Sequence, residues 1–274
     1  MVYKWECQHC SYTVWSANRA SLDDDVKSHL FDHNRGNVRK RDFRYTWNCP
    51  YCASSTTTHD KETVVEQFQS HLYDHVADRI RSGSHVAERI DHCGNVLVEV
   101  PVASDSANHA RKHFFSYGDT IIIVTSDPEA RIQFVGETLP EWPAHTVVLT
   151  TKRRPLSSEL ETDFSDISIE IVELDQRLGP DGLGETISRV IDHHHRPDRQ
   201  LSFGFDIMYE IIQSFDLKTS YEFVNRISKR LEDAGAIAHF YMDPHPQLES
   251  IINVLDDRFD LELVAEGDLL RVKN

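Results

Sequence analysis

The sequence predicts an α/β protein: two small ββα-like units followed by a three-layer αβα domain with a mainly parallel sheet. Two observations carry this. Within the first 80 residues one spacing of cysteines and histidines occurs twice, offset by 42 positions. Beyond residue 93, short β-branched runs alternate with amphipathic stretches, the pattern of strands and helices in βαβ succession. Charge divides at the same place. Residues 1–85 hold 11 Lys/Arg and 11 Asp/Glu while residues 86–274 hold 18 and 34, so the net −16 lies in the second part.

A chain of 274 residues with 39% hydrophobic content can bury the cores of two ordinary domains. It has no run of 18 apolar residues, and its first 15 residues are polar and cysteine-bearing. It therefore reads as a soluble, unexported, cytoplasmic protein with no membrane partner. Four of the five cysteines form two C-x2-C pairs with histidines downstream, which in a reducing compartment points to metal ligation rather than disulfides. Cys93 is left over and reads as a half-buried free thiol. Arginines outnumber lysines 20 to 9, and a carboxylate-rich, lysine-poor surface looks like that of proteins from salt-loving archaea. At ~1 M salt the Debye length falls to ~3 Å, so surface charge acts only at contact.

The repeat is C-x2-C-x18-H-x3-H, formed by Cys7, Cys10, His29 and His33 and again by Cys49, Cys52, His71 and His75. A C-x2-C pair fits a tight knuckle, and histidines four apart share one helix face, so four side chains can converge on a tetrahedral ion. Zinc suits that donor set. Four ligands leave no open position, so two structural rather than catalytic ions are expected. Trp5 and Trp47 stand two before the first cysteine of each unit, Val26 and Phe68 three before the first histidine, and Leu30 and Leu72 just after it; these are the expected small cores. Ser21, followed by Leu22, Asp23, Asp24 and Asp25, reads as the first helix start. In the second unit Asp60 or Thr58 can cap, with Glu62 in the first turn, and Val64, Phe68, Leu72, Val76 and Ile80 continue at i+4 spacing, so that helix is expected to outlast its unit. The pattern resembles the two-cysteine, two-histidine zinc finger over residues 3–34 and 45–76, with 18 residues between knuckle and helix where the family usually has about 12. The expected divisions are a finger over 1–34, a second over 45–77, a helical connector over 78–92 and the α/β domain over 93–274. His9 and His59 lack counterparts in the other repeat and read as surface residues.

The finger resemblance assigns base reading to Leu22, Asp24, Asp25 and Ser28 and to Val64, Glu66, Gln67 and Ser70. None is Arg or Lys, and only Gln67 suits a base edge. Between the units, Arg35, Arg39, Lys40, Arg41 and Arg44 form a basic run with Phe43 and Tyr45 beside it. It reads as a solvated linker, or as a weak contact to phosphates or stacked bases.

In the second part, residues 95–102 read as a strand, 106–115 as a helix, and 120–125 (Thr-Ile-Ile-Ile-Val-Thr) as a strand buried on both faces. Strands at 146–150 and 168–174, a helix at 182–195, a strand at 201–205 ending at Asp206 and an amphipathic helix at 220–234 follow. A strand at 236–242, a helix at 246–257 and a strand at 261–264 complete the series. Leu201-Ser-Phe-Gly-Phe-Asp206, the helix through Phe223 and Leu231, Ala236-Ile-Ala-His-Phe-Tyr-Met-Asp-Pro244 and Phe259-Asp-Leu-Glu-Leu-Val264 are similar to the later half of RecA- and KaiC-like ATPase domains, in particular their degenerate, uncharacterised haloarchaeal versions. The likeness spans about residues 93–273, with recognisable motifs only over 201–264. It implies a magnesium-supporting role for Asp206. However, none of the 11 glycines opens a G-x-x-x-x-G-K-[ST] loop, and the turn after the first strand, Val102-Ala-Ser-Asp-Ser-Ala-Asn108, has neither glycine nor lysine. A pseudo-ATPase that does not bind ATP is expected. Gly179-Pro-Asp-Gly-Leu-Gly184 precedes a helix without that lysine and reads as a plain turn.

The combination suggests a non-catalytic regulatory or adaptor protein, linked to transcription or signalling and acting through a protein partner. One alternative is a metal-dependent phosphoesterase or hydrolase. Asp192, His193, His194 and His195 carry an Asp-His-His signature, but on a predicted helix with no Asp-x-Asp upstream, so they read as surface residues. His239, Asp243 and His245 are a second possible cluster at the C-terminal end of a strand, where α/β sites usually lie. The other alternative is nucleic-acid binding through the fingers and the basic run.

Overall fold

A computed structural model of the protein describes residues 1–115, 119–139, 141–152, 168–175, 177–245 and 248–273. The chain divides into two compact units, Met1–Ser84 and His85–Lys273.

In the first unit, β1 (Tyr3–Glu6) and β2 (Thr13–Ser16) pair antiparallel with Trp5 opposite Val14, and α1 (Arg19–Asn34) follows. Asn18 caps α1, its side chain accepting from the Ala20 N–H at 2.9 Å. The helix thus begins before Ser21, its expected start, and Asp23 lies in the second turn, where it accepts from Arg19 four residues earlier. After a 3-10 turn (Arg35–Asn37), β3 (Val38–Arg41), β4 (Arg44–Asn48) and β5 (Ser55–Thr58) form a three-stranded antiparallel sheet, and α2 (Lys61–Asp74) completes the second ββα. Asp60 caps it, accepting from Thr63 N–H at 2.7 Å, with Glu62 in the first turn.

The helix α2 does not outlast its unit. At His75 the backbone N–H turns to the Leu72 and Tyr73 carbonyls, and a 3-10 turn (Ala77–Arg79) and β6 (Arg81–Ser82) follow, β6 pairing with β1. A second 3-10 turn (Val86–Ile90) comes next, so the stretch 78–92 is not the helical connector its sequence suggested. Leu22, Val26 and Leu30 on α1 and Val64, Phe68 and Leu72 on α2 are buried with Trp5, Val14, Trp15 and Trp47, each series at the four-residue spacing of one helix stripe. The helices also meet directly. Phe31 packs edge-on to Phe68, and the Tyr73 hydroxyl donates to Asp23 at 2.5 Å while accepting from Arg19 at 3.0 Å.

The second unit is a sheet in the order β10-β9-β8-β11-β12-β7-β13-β14, made of β7 (Gly94–Glu99), β8 (Thr120–Thr125), β9 (His145–Thr150), β10 (Ile169–Glu173), β11 (Leu201–Phe205), β12 (Ile237–Met242), β13 (Leu261–Glu266) and β14 (Leu269–Val272). Every pairing is parallel except β13 with β14. Strands β7, β8, β11 and β12 are buried throughout, as sheets covered on both faces require. One face takes α5 (Pro180–His194), α6 (Met208–Ser214), α7 (Leu217–Asp233) and α8 (Glu249–Leu255), packing Ile187, Met208, Phe223, Ile227 and Leu255 onto Phe203, Phe205 and Phe240. The other face takes α3 (Asp105–Phe115) and α4 (Pro128–Thr138), with Phe115, Phe134 and Val135 on Ile121 and Ile123.

This is the α/β architecture with three layers and a mainly parallel sheet that the sequence predicts. Helices α4 and α6 and strand β14 are additions to it, and residues 246 and 247 of the helix expected at 246–257 lie outside the described residues. Gly94 is required where it stands. Its φ is +135°, and a Cβ there would lie 2.7 Å from Asp260 Oδ2, the atom that accepts the Asn95 N–H. No helix among the described residues is long and apolar enough to cross a membrane.

Candidate metal centres

Each Cys/His unit brings its four expected ligands together. Cys7 N–H donates to the Tyr12 carbonyl and Cys49 N–H to the Ser54 carbonyl, both at 2.9 Å, closing each C-x2-C knuckle. The N–H groups of His9, Tyr12 and Tyr51 point at Cys7, Cys10 and Cys49 Sγ at 3.3–3.5 Å, as backbone donors around metal thiolates do. A tetrahedral ion with bonds of about 2.3 Å to sulfur and about 2.05 Å to nitrogen demands S···N edges of about 3.6 Å and an N···N edge of about 3.3 Å. Observed S···N distances are 3.4–3.6 Å in the first cluster and 3.3–3.4 Å in the second, with N···N distances of 3.1 and 3.2 Å. Both clusters could therefore hold a metal ion without rearrangement. Tyr12 stacks on His29 and Trp47 on His71, fixing the imidazole planes. Hydrogen bonds from the Ser54 side chain and backbone N–H pull the Cys52 thiol down to about 6, while burial pushes Cys7 and Cys49 up. A dication bound in each centre would override that difference, because both cysteines of the centre bind as thiolates. His9 is exposed and stacks on Tyr51, and His59 is exposed and meets the Phe43 carbonyl. Cys93 is exposed rather than half-buried.

At the carboxyl ends of the strands, Asp206 is closed in. Arg111 donates to its Oδ1 at 2.8 Å and Arg131 to its Oδ2 at 2.5 Å, and all three side chains are 5% exposed or less. Both guanidiniums also reach the Val102 carbonyl and Asn108 Oδ1, and Arg111 lies over the Tyr241 ring at 4.3 Å. Burial alone would raise the Asp206 carboxyl, but the two guanidiniums hold it below its ordinary value. Each carboxylate oxygen has a cation of the protein's own, and the loop after β7 turns a carbonyl toward them.

The two alternative clusters of the sequence do not form. His239 lies in mid-strand, fully buried between Phe114 and Phe115, and burial lowers it to about 3, whereas Asp243 and His245 are exposed. On α5, Asp192 pairs with Arg230 and His193 is exposed. His194 departs from the surface reading. Its side chain is 8% exposed, stacks on His145 at 4.6 Å and lies 3.4 Å from Glu170. Sequence reasoning passed over His145 and Glu170, which only the parallel pairing of β9 with β10 brings near the end of α5.

Of the basic run, Arg35 sits past the end of α1, paired with Asp32 at 2.5 Å. Arg39, Lys40, Arg41 and Arg44 are exposed on a β3–β4 hairpin rather than a linker, with Arg41 directly opposite Arg44 and no carboxylate partner among the described residues. The two-residue turn puts Asp42 at φ +53° and leaves Phe43 85% exposed. Among the expected base-reading positions, Leu22 and Val64 are core residues and Asp25 accepts from the Tyr12 hydroxyl. Ser28, Glu66, Gln67 and Ser70 are exposed.

Fold and sites together define an α/β protein carrying two N-terminal Cys/His centres fit for metal. The chain belongs to a family of unknown function, DUF7504, which matches residues 93–264. No curated protein matches the sequence significantly. Among solved structures, the chain is similar to the uncharacterized protein PH0321 from Pyrococcus horikoshii, solved in complex with an unknown peptide, with 10% identity, a TM-score of 0.44, and coverage of 68% of this chain and 86% of that one. It is also similar to PH0250 of Pyrococcus horikoshii OT3, with 7% identity, a TM-score of 0.41, and coverage of 67% and 89%.

Proposed function

We propose that this chain is a non-catalytic regulatory or adaptor protein, with zinc as the structural ion in both Cys/His centres and a pseudo-ATPase α/β domain. The observation that carries the reading is the Arg111–Asp206–Arg131 cluster. An acidic residue at the end of β11 would support magnesium only with a free oxygen, and both oxygens are held by guanidiniums. Cradling a phosphate takes converging backbone N–H groups; the Val102 carbonyl, turned the other way, accepts from both arginines. For zinc, the support is the two-sulfur, two-nitrogen donor set at tetrahedral spacing, a closed arrangement without a position for substrate.

Calorimetry of the full chain with ATP and magnesium tests the reading, and no binding is expected. Micromolar, magnesium-dependent binding abolished by Asp206→Asn would overturn it. Elemental analysis is expected to find zinc filling both centres, and a different resident metal would refute that assignment. A second reading, nucleic-acid binding, is favoured by the hairpin bearing Arg39, Lys40, Arg41 and Arg44, since a two-stranded ribbon fits a major groove.

A further inference from the structure

We propose a third metal site, built by His145, Glu170 and His194 at the amino-terminal edge of the sheet and suited to a divalent transition ion. Each of the three offers a ligand atom, and these atoms lie within 4.8 Å of one another. They come from three elements: His145 opens β9, Glu170 lies near the start of β10, and His194 ends α5. Two imidazoles and a carboxylate form a set that binds zinc, cobalt or nickel, and with three protein ligands one position stays open to water.

The second observation concerns how His145 is held. Its Nδ1 is 2.5 Å from Ser168 Oγ, while its Nε2 is buried and has no hydrogen-bond partner among the described residues. With the proton on Nδ1 donated to Ser168, the ring presents a lone pair at Nε2, the way metal-bound histidines are commonly held. A His194–Glu170 hydrogen bond alone would leave that buried nitrogen unsatisfied, a state native proteins seldom tolerate. The rings of His145 and His194 stack at an interplanar angle of 25°, and two nearly parallel, face-to-face imidazoles cannot both direct their in-plane lone pairs at one nearby ion. Capture therefore turns one ring about its Cα–Cβ bond.

Active sites of open α/β sheets lie at the carboxyl ends of strands, and this cluster is at the opposite edge. Its role is to tie β9, β10 and α5 together. The inference is independent of the proposed function, because neither the Cys/His centres nor Asp206 takes part.

The test is a cobalt titration of the full chain loaded with two equivalents of zinc, which the four-ligand Cys/His centres take up ahead of a three-ligand site. One further equivalent is expected, giving d–d absorption without the thiolate-to-cobalt charge-transfer band that binding at either Cys/His centre would produce. His145→Gln and Glu170→Gln, whose folding is checked by far-ultraviolet circular dichroism, should each abolish that equivalent. Ser168→Ala should weaken it about tenfold, and His193→Gln should leave it unchanged. No cobalt uptake at millimolar concentration, uptake surviving in Glu170→Gln, or loss in His193→Gln would each overturn the site.

Discussion

The two units stabilise their charged and polar groups by opposite means. In the first, the Cys/His clusters that could hold metal sit at the surface, with Cys10, Cys52 and His33 exposed, and the apolar core is little more than the stripe of each helix and six other side chains. In the second, which packs a large continuous core on one face of its sheet, one ion cluster of a carboxylate and two arginines is nearly excluded from solvent. Small domains fold on metals where cores are insufficient, and large ones can carry the desolvation of an internal ion cluster. One unit is therefore expected to depend on what it binds, the other on what it buries.

Metal removal should separate them most sharply. Structural zinc supplies ~10–16 kcal/mol in comparable peptides, so a strong chelator is expected to unfold Met1–Ser84 and leave His85–Lys273 folded. Limited proteolysis should then return a resistant fragment beginning near residue 85, and persistence of the first unit without metal would break the contrast. Because Phe31–Phe68 packing and the Asp23–Tyr73 bond join the two helices, Cys49→Ser is expected to raise amide exchange in α1 as well as α2. Exchange confined to α2 would mean that the two halves are independent.

The second unit should answer to charge. Asp206→Ala leaves two buried guanidiniums without a counter-ion and is expected to cost ~3–5 kcal/mol, read from denaturant midpoints. A loss below ~1 kcal/mol would mean the cluster is already hydrated. Since the folded carboxyl titrates below its ordinary value of 3.8, its contribution is complete above that pH and is lost as acid protonates it in the folded state. His239 acts in a higher window. Its unfolded value is 6.5 and its folded value about 3, so stability is complete above 6.5 and drains as pH falls toward 3. His239→Gln is expected to flatten that part of the pH–stability curve, and an unchanged slope would refute the buried neutral imidazole.

Sequence periodicity exposed what obeys simple patterns and hid what the fold bends. The two Cys/His clusters were legible because one spacing of two cysteines and two histidines occurs twice, and the central strands because both faces are apolar. Helix α4 was not, although Asp127 and Pro128 mark its start, because the face it turns to the sheet carries Arg131, buried against Asp206. The hairpin read as a linker since every side chain of β3 but Val38 is exposed and charged, and only the left-handed turn at Asp42 pairs it with β4. His145 and Glu170 carry no local signal, and the Asp-His-His signature around His194 points to other partners, because parallel pairing rather than sequence spacing brings the three together.

The smallest effect on stability is expected at that hairpin, the reverse of the Asp206 cluster in its treatment of charge. Arg41 and Arg44 are cross-strand neighbours of like sign, an arrangement that weakens a ribbon by about 0.2–1 kcal/mol. Changing Arg39, Lys40 and Arg41 to Gln should therefore leave stability unchanged or raise it within that range. Nucleic-acid binding is where the variant should differ. The acidic second unit and the absence of Arg or Lys at the exposed base-facing positions predict weak, sequence-indifferent binding to phosphates. Every phosphate that is no longer neutralised takes about 0.9 from the slope of log K against log salt, so the triple variant should lower that slope by up to about 2.7 and abolish duplex binding at moderate salt. A duplex library titrated at molar salt that returned one motif at nanomolar strength, altered by Gln67→Ala, would instead make α2 the reading element and leave the hairpin a bystander.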